Sequence, residues 1–157
     1  MGAKSSRATT DTAPRELVIT RVFDAPRSLV FKAWTHPDHL KRWWGPHGFT
    51  VLSCAMDFRV GGGWSLSMQS PAGVVDRQRG VFREIVEPER LAFTYAFEDE
   101  HGKRGHETIV TLSFADLGSK TELTLRQAVF EAVAVRDDHV RGWGEALDHL
   151  ADYVTKA

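Results

Sequence analysis

Residues 24–46, DAPRSLVFKAWTHPDHLKRWWGP, decide the reading of the fold. Pro26 suits a first helical turn, where its missing N–H costs nothing. In the helix expected over 26–35, Val30, Ala33 and Trp34 share one face at i, i+3, i+4 spacing. Pro37 restarts the chain into a second short helix, about 37–44, and Gly45-Pro46 stops it. Just before this stretch, ELVITRVFD (16–24) is rich in β-branched and aromatic residues and reads as a strand.

Beyond residue 49 the punctuation changes. Turn signals fall at Gly61-Gly62-Gly63, Pro71-Ala72-Gly73, Glu87-Pro88-Glu89, near Gly102 and at Leu117-Gly118. They separate strands expected near 49–59, 63–70, 74–86, 90–98, 105–115 and 120–130. Short turns between consecutive strands make an antiparallel meander, with seven strands once 16–24 is included. The glycine triplet lies between two strands and lacks a following Lys-Ser/Thr, so it reads as a tight hairpin and not a phosphate loop.

The last segment follows another period. Val140, Trp143, Leu147, Leu150 and Val154 recur at helical spacing, with Glu145, Asp148 and Asp152 off the stripe. A helix over about 136–155 spans ~30 Å, enough to cross a sheet. It is the element long enough to cover the sheet's apolar face. The expectation is an α+β domain: a curved seven-stranded sheet around a long C-terminal helix, with a hollow where the two surfaces diverge. Gly142 and Gly144 flank Trp143 and predict a close backbone approach or a bend beside that indole.

At 157 residues the chain fits one domain, expected over 16–157 after a disordered polar tail over 1–15. MGAKSS has myristoylation spacing, but the tail's Ser, Thr and Ala content reads as plain disorder. Lys plus Arg number 20 against 21 Asp plus Glu, so charge gives no case for nucleic-acid binding. No apolar run matches a membrane span, and no membrane partner is expected. One cysteine, Cys54, excludes an internal disulfide and points to a reducing, cytoplasmic setting.

Strand alternation picks out an inner face. Trp64, Leu66 and Met68 share a face, as do Leu91, Phe93, Tyr95 and Phe97. Val110, Leu112 and Phe114 carry His106 and Thr108 to the same side, and Leu123 and Leu125 carry Gln127. Tyr95, His106, Thr108 and Gln127 are thus polar groups on an apolar wall, suited to orient a ligand or to bond their neighbours. His106 sits near its strand end, where solvation competes with burial. Trp44 and Trp143 join Trp64 as candidate cavity walls, with Leu147 on the helix stripe, whereas Trp34 reads as core. Arg21 reads as an outward surface charge. The pairs His36/His39 and Glu145/His149 have metal-compatible spacing but no third ligand, so no metal or other cofactor is expected. Cys54, in the apolar run VLSCAMDF, reads as an inert core thiol. With no G-x-S-x-G elbow, no catalytic residue is assigned.

The ordered segments ITRVFDAPRSLVFKAWTHPDHLKRWWGP, DFRVGGGW, GVFREIVEPERLAFTY, TIVTLSF, TELTL and GWGEALDHLADYV resemble the bacterial activator of Hsp-90 ATPase homologue (AHSA-like) domains of the START-like, or SRPBCC, superfamily. The resemblance spans about 16–156 and implies the helix-grip fold. It does not fix a function, because the superfamily includes lipid carriers, hormone receptors and cyclases. Eukaryotic chaperone activators join such a domain to a further N-terminal one. With about 15 residues before the first strand, chaperone activation is not expected here. The leading expectation is a binding module for a small hydrophobic molecule. The alternatives are an enzyme of the cyclase, dehydratase or hydrolase kind in the same cavity, and a protein-interaction module. A homodimer is also compatible with five tryptophans.

Overall fold

The computed structural model describes residues 7–8 and 15–156; the remaining tail, with its myristoylation spacing, lies outside the described residues. The elements are β1 (Arg7–Ala8), β2 (Glu16–Phe23), α1 (Arg27–Thr35), α2 (Pro37–Leu40), β3 (Thr50–Met56), β4 (Gly63–Gln69), β5 (Val75–Val86), β6 (Arg90–Glu98), β7 (Thr108–Asp116), β8 (Thr121–Ala128) and α3 (Val133–Lys156). The seven expected strands form, and the two-residue β1 pairs with β2 through Thr20 and Ile19. The order is β1-β2-β8-β7-β6-β5-β4-β3, antiparallel throughout. From β3 to β8 this is the expected meander, and the first long strand joins the last.

The inner face follows the alternation. Leu17, Ile19 and Phe23 of β2, Val110, Leu112 and Phe114 of β7, and Leu123 and Leu125 of β8 are buried beneath Trp143, Leu147, Leu150 and Val154 of α3. Burying Leu147 and Leu150 fully contributes roughly 1.5–3 kcal/mol each. Several boundaries move. The second helix ends at Leu40, β7 begins only at Thr108, and α3 begins earlier, at Val133.

Arg21 corrects the outward reading. It is buried on the inner face of β2, and its Nη1 donates to Asp148 Oδ1 of α3 at 2.7 Å. A buried guanidinium requires such a partner, and the pair pins the helix over the strand.

Two glycines are fixed by close approach. A Cβ at Gly62 would lie 2.0 Å from the Asp57 carbonyl oxygen, so the triplet makes the tight hairpin expected. A Cβ at Gly80 would lie 1.7 Å from Thr94 O and 2.4 Å from Trp64 Nε1. There the Trp64 indole crosses its pair partner Gly80 and donates to Thr94 O at 3.1 Å. The β5–β6 register shifts just beyond, between Phe82 and Glu84.

The glycines of α3 differ from the expectation. The helix runs unbroken through them. A Cβ at Gly144 would meet nothing within 4 Å, and one at Gly142 would make only ordinary contact with Pro46, at 3.9 Å. Gly144→Ala is therefore expected to raise unfolding free energy by up to about 1 kcal/mol, since alanine relieves the backbone entropy cost without a clash. Urea denaturation of the variant checks this.

Candidate functional site

Part of the interior beneath α3 is filled by a cluster of tryptophans. Trp34 meets Trp43, Trp44 and Trp143 with ring centroids at 4.6, 6.1 and 5.9 Å, and Trp44 also meets Trp64 at 6.2 Å and Trp143 at 5.2 Å. Large flat rings at these separations add specific contacts to simple burial. All five tryptophans belong to this network, and Trp34 is core, as expected.

Beside the network a cavity of about 210 Å³ remains between the inner sheet, the 44–49 loop and α3. Trp44, Phe49, Met68, Tyr95 and Trp143 supply its apolar wall; Gln78, Asp76, Asp138 and His139 supply polar atoms. Gly142 and Ala146 leave the helix side open because their side chains are small. The Tyr95 hydroxyl has no hydrogen-bond partner among the described residues and is not sealed off; Tyr95 lines this space together with Asp76, whose charge acts on that hydroxyl. Burial first, and the Asp76 charge second, push its ionisation well above the usual phenol value. Tyr95 therefore stays an O–H donor.

The other candidate residues separate. A second hollow, about 140 Å³, is lined by His106, Thr108 and Gln127 and shares Tyr95, Phe97 and His139 with the first. Gln127 is fully buried and spends its amide internally: Trp143 Nε1 donates to its Oε1 at 2.8 Å, and its Nε2 donates to Thr108 Oγ1 at 2.8 Å. Thr108 in turn donates to Tyr95 O at 3.1 Å. This polar chain ties helix to sheet. His106 precedes β7, is exposed, and bonds Val129 O, which corrects its inward placement. Phe97 is 38% exposed, at the rim and not inside. Leu66, Phe93 and Leu147 are packed core that does not line the main cavity. Trp64 and Phe93 border a void of about 20 Å³, and neither lines the main cavity.

The 44–49 loop is fastened to α3. His149 Nδ1 lies 3.2 Å from Gly45 O, which requires a proton on Nδ1 and leaves Nε2 as an acceptor in the neutral ring. His47 Nδ1, 2.8 Å from that Nε2, is then the donor. The His47 backbone N–H also donates to Glu145 Oε1 at 3.0 Å. Glu145 and His149 thus hold a loop. His39 bonds the Tyr153 hydroxyl. Among the described residues, no group of three or more His, Cys, Asp or Glu is arranged to hold a metal ion. Burial pushes the Cys54 thiol up to about 11, so at neutral pH it carries almost no thiolate.

Sequence reasoning missed Asp76, Gln78 and His139. Asp76 and Gln78 alternate in phase with the buried Phe82 on β5, a signal present in the residues. His139 lies four residues before Trp143, beside the apolar stripe. Its Nδ1 bonds Val135 O at 2.9 Å, its Nε2 is buried without a partner, and desolvation lowers its pKa below 6.5. Below about 6.5 the unfolded chain binds this proton and the folded one resists it, so stability falls as pH drops through that window. The slope from one proton is at most about 1.4 kcal/mol per pH unit. Thermal melts between pH 7 and 5 are expected to show the loss, and His139→Gln to flatten it.

The model of the family described as activator of Hsp90 ATPase homolog 1-like protein matches residues 24–155. The chain belongs to this family. Among solved structures of similar fold, one from Arthrobacter aurescens is 26% identical, covers 98% of this chain and 94% of its own, and superposes with a TM-score of 0.88. The AHSA1 protein of Silicibacter pomeroyi is 26% identical over 89% of this chain and 97% of its own, with a TM-score of 0.81. A protein from Chromobacterium violaceum is 28% identical over 90% and 97%, with a TM-score of 0.77. No curated protein matches. The family and its START-like fold are thus shown, and no helix is long and apolar enough to cross a membrane among the described residues.

Proposed function

We propose that this AHSA1-like domain binds a small, largely apolar molecule in the cavity under α3, as a protein of the cytoplasm. One observation carries the reading: an aromatic-walled hollow of about 210 Å³ lined by Tyr95, whose hydroxyl is unpartnered among the described residues. A few polar groups on an otherwise apolar wall are what fixes a ligand's orientation. Trp44, Met68 and Trp143 supply contact area, and the Tyr95 hydroxyl, which both donates and accepts, meets the ligand's polar group. Gln127, Thr108 and His106 take no direct part in this cavity; the first two stabilise its floor.

A thermal-shift screen against lipids, aromatics and polyketide-like compounds tests the reading. A ligand at a hundred times its Kd adds about 2.7 kcal/mol, which raises Tm by several degrees. Gly142→Leu projects a side chain into the cavity from a helix that tolerates it, and is expected to abolish the shift. A panel in which nothing stabilises the parent, or in which hits stabilise Gly142→Leu equally, removes the proposal.

A further inference from the structure

The charges on the cavity wall are of one sign. Asp76 and Asp138 line it, and no lysine or arginine does. Asp138 is already paired with Arg141 at 3.0 Å on the exposed side of α3. Asp76 differs: it points inward from β5, is half-buried opposite Met68, and has no ion-pair or hydrogen-bond partner among the described residues. Its charge reaches Tyr95. The rings of Trp44, Tyr95 and Trp143 line the same cavity, and aromatic faces carry negative quadrupole charge. Aromatic faces beside a carboxylate attract a cation and repel an anion.

From this we infer that the cavity selects an organic ammonium, an amine with an aromatic or short alkyl body, over neutral and anionic molecules of the same shape. The inference rests on the cavity being a ligand site. The ammonium sits against Asp76 with its C–H or N–H surface on the indole rings, while its apolar body fills the space beside Met68 and Ala146. A fatty acid or phosphate ester would bring its charge against Asp76 with no cation on the wall to receive it.

Three probes of one shape test this: phenethylammonium, phenethyl alcohol and phenylpropanoate, titrated calorimetrically at pH 7. The ammonium is expected to bind about tenfold tighter than the alcohol, with the carboxylate weakest. Asp76→Asn is expected to erase most of that ratio, and Gly142→Leu to abolish binding of the ammonium. An alcohol that matches or beats the ammonium overturns the inference but leaves the cavity as a site. The same holds if none of the three binds while the wider panel yields a neutral or acidic ligand. Ammonium binding that survives Gly142→Leu lies elsewhere on the surface and also overturns it. If the three probes and the wider panel are all silent, both readings fall.

Discussion

Gly80→Ala is expected to destabilise the fold by about 3 kcal/mol or more. The added Cβ would lie 1.7 Å from Thr94 O, a backbone atom that cannot swing away, and 2.4 Å from the indole nitrogen that bonds it. Relief requires β5 to separate from β6 and the Trp64 indole to leave Thr94. That indole touches Trp44, so the disturbance reaches the cavity wall. The comparison with Gly144→Ala makes the test sharp. The chemical change is identical and the expected signs are opposite, because one Cβ enters a packed crossing and the other enters open space. Urea midpoints for both variants decide it. A Gly80→Ala protein within 0.5 kcal/mol of the parent would falsify the crossing geometry.

Gln127→Leu is expected to cost about 2–4 kcal/mol. The side chain fits by volume, but it strands the buried Trp143 N–H and removes the donor to Thr108 Oγ1. Unpaired buried polar atoms carry the full desolvation penalty. The double variant Gln127→Leu/Trp143→Phe removes both ends of one bond, and is expected to recover part of the loss beyond additivity. If the two changes simply add, the Trp143–Gln127 bond contributes nothing measurable.

The contrast between what the residues foretold and what they did not has a physical basis. Helix period and strand alternation are local, so the meander, the long helix and the inner faces of β4, β6, β7 and β8 could be read directly. Arg21 could not, because both faces of β2 alternate acceptably and only Asp148, supplied by a distant helix, settles which one is buried. Gln127 was rightly placed inward, yet whether its amide met a ligand or Trp143 depended on how α3 sits across the sheet. His106 was read by extending an alternation past the point where pairing stops; β7 starts at Thr108. Asp76 was within reach of the same alternation argument through Phe82. Its lack of a partner was not, since that depends on which cations fold nearby.

The pairing of β2 with β8 has a consequence during synthesis. Leu17, Ile19 and Phe23 leave the ribosome well before the strand that aligns them, Thr121–Ala128, and the helix that seals them follows later still. A nascent chain therefore carries an incomplete hydrophobic interior until β8 and α3 have both emerged. Such late, long-range closure slows folding and prolongs the interval in which sticky surface is open to other molecules.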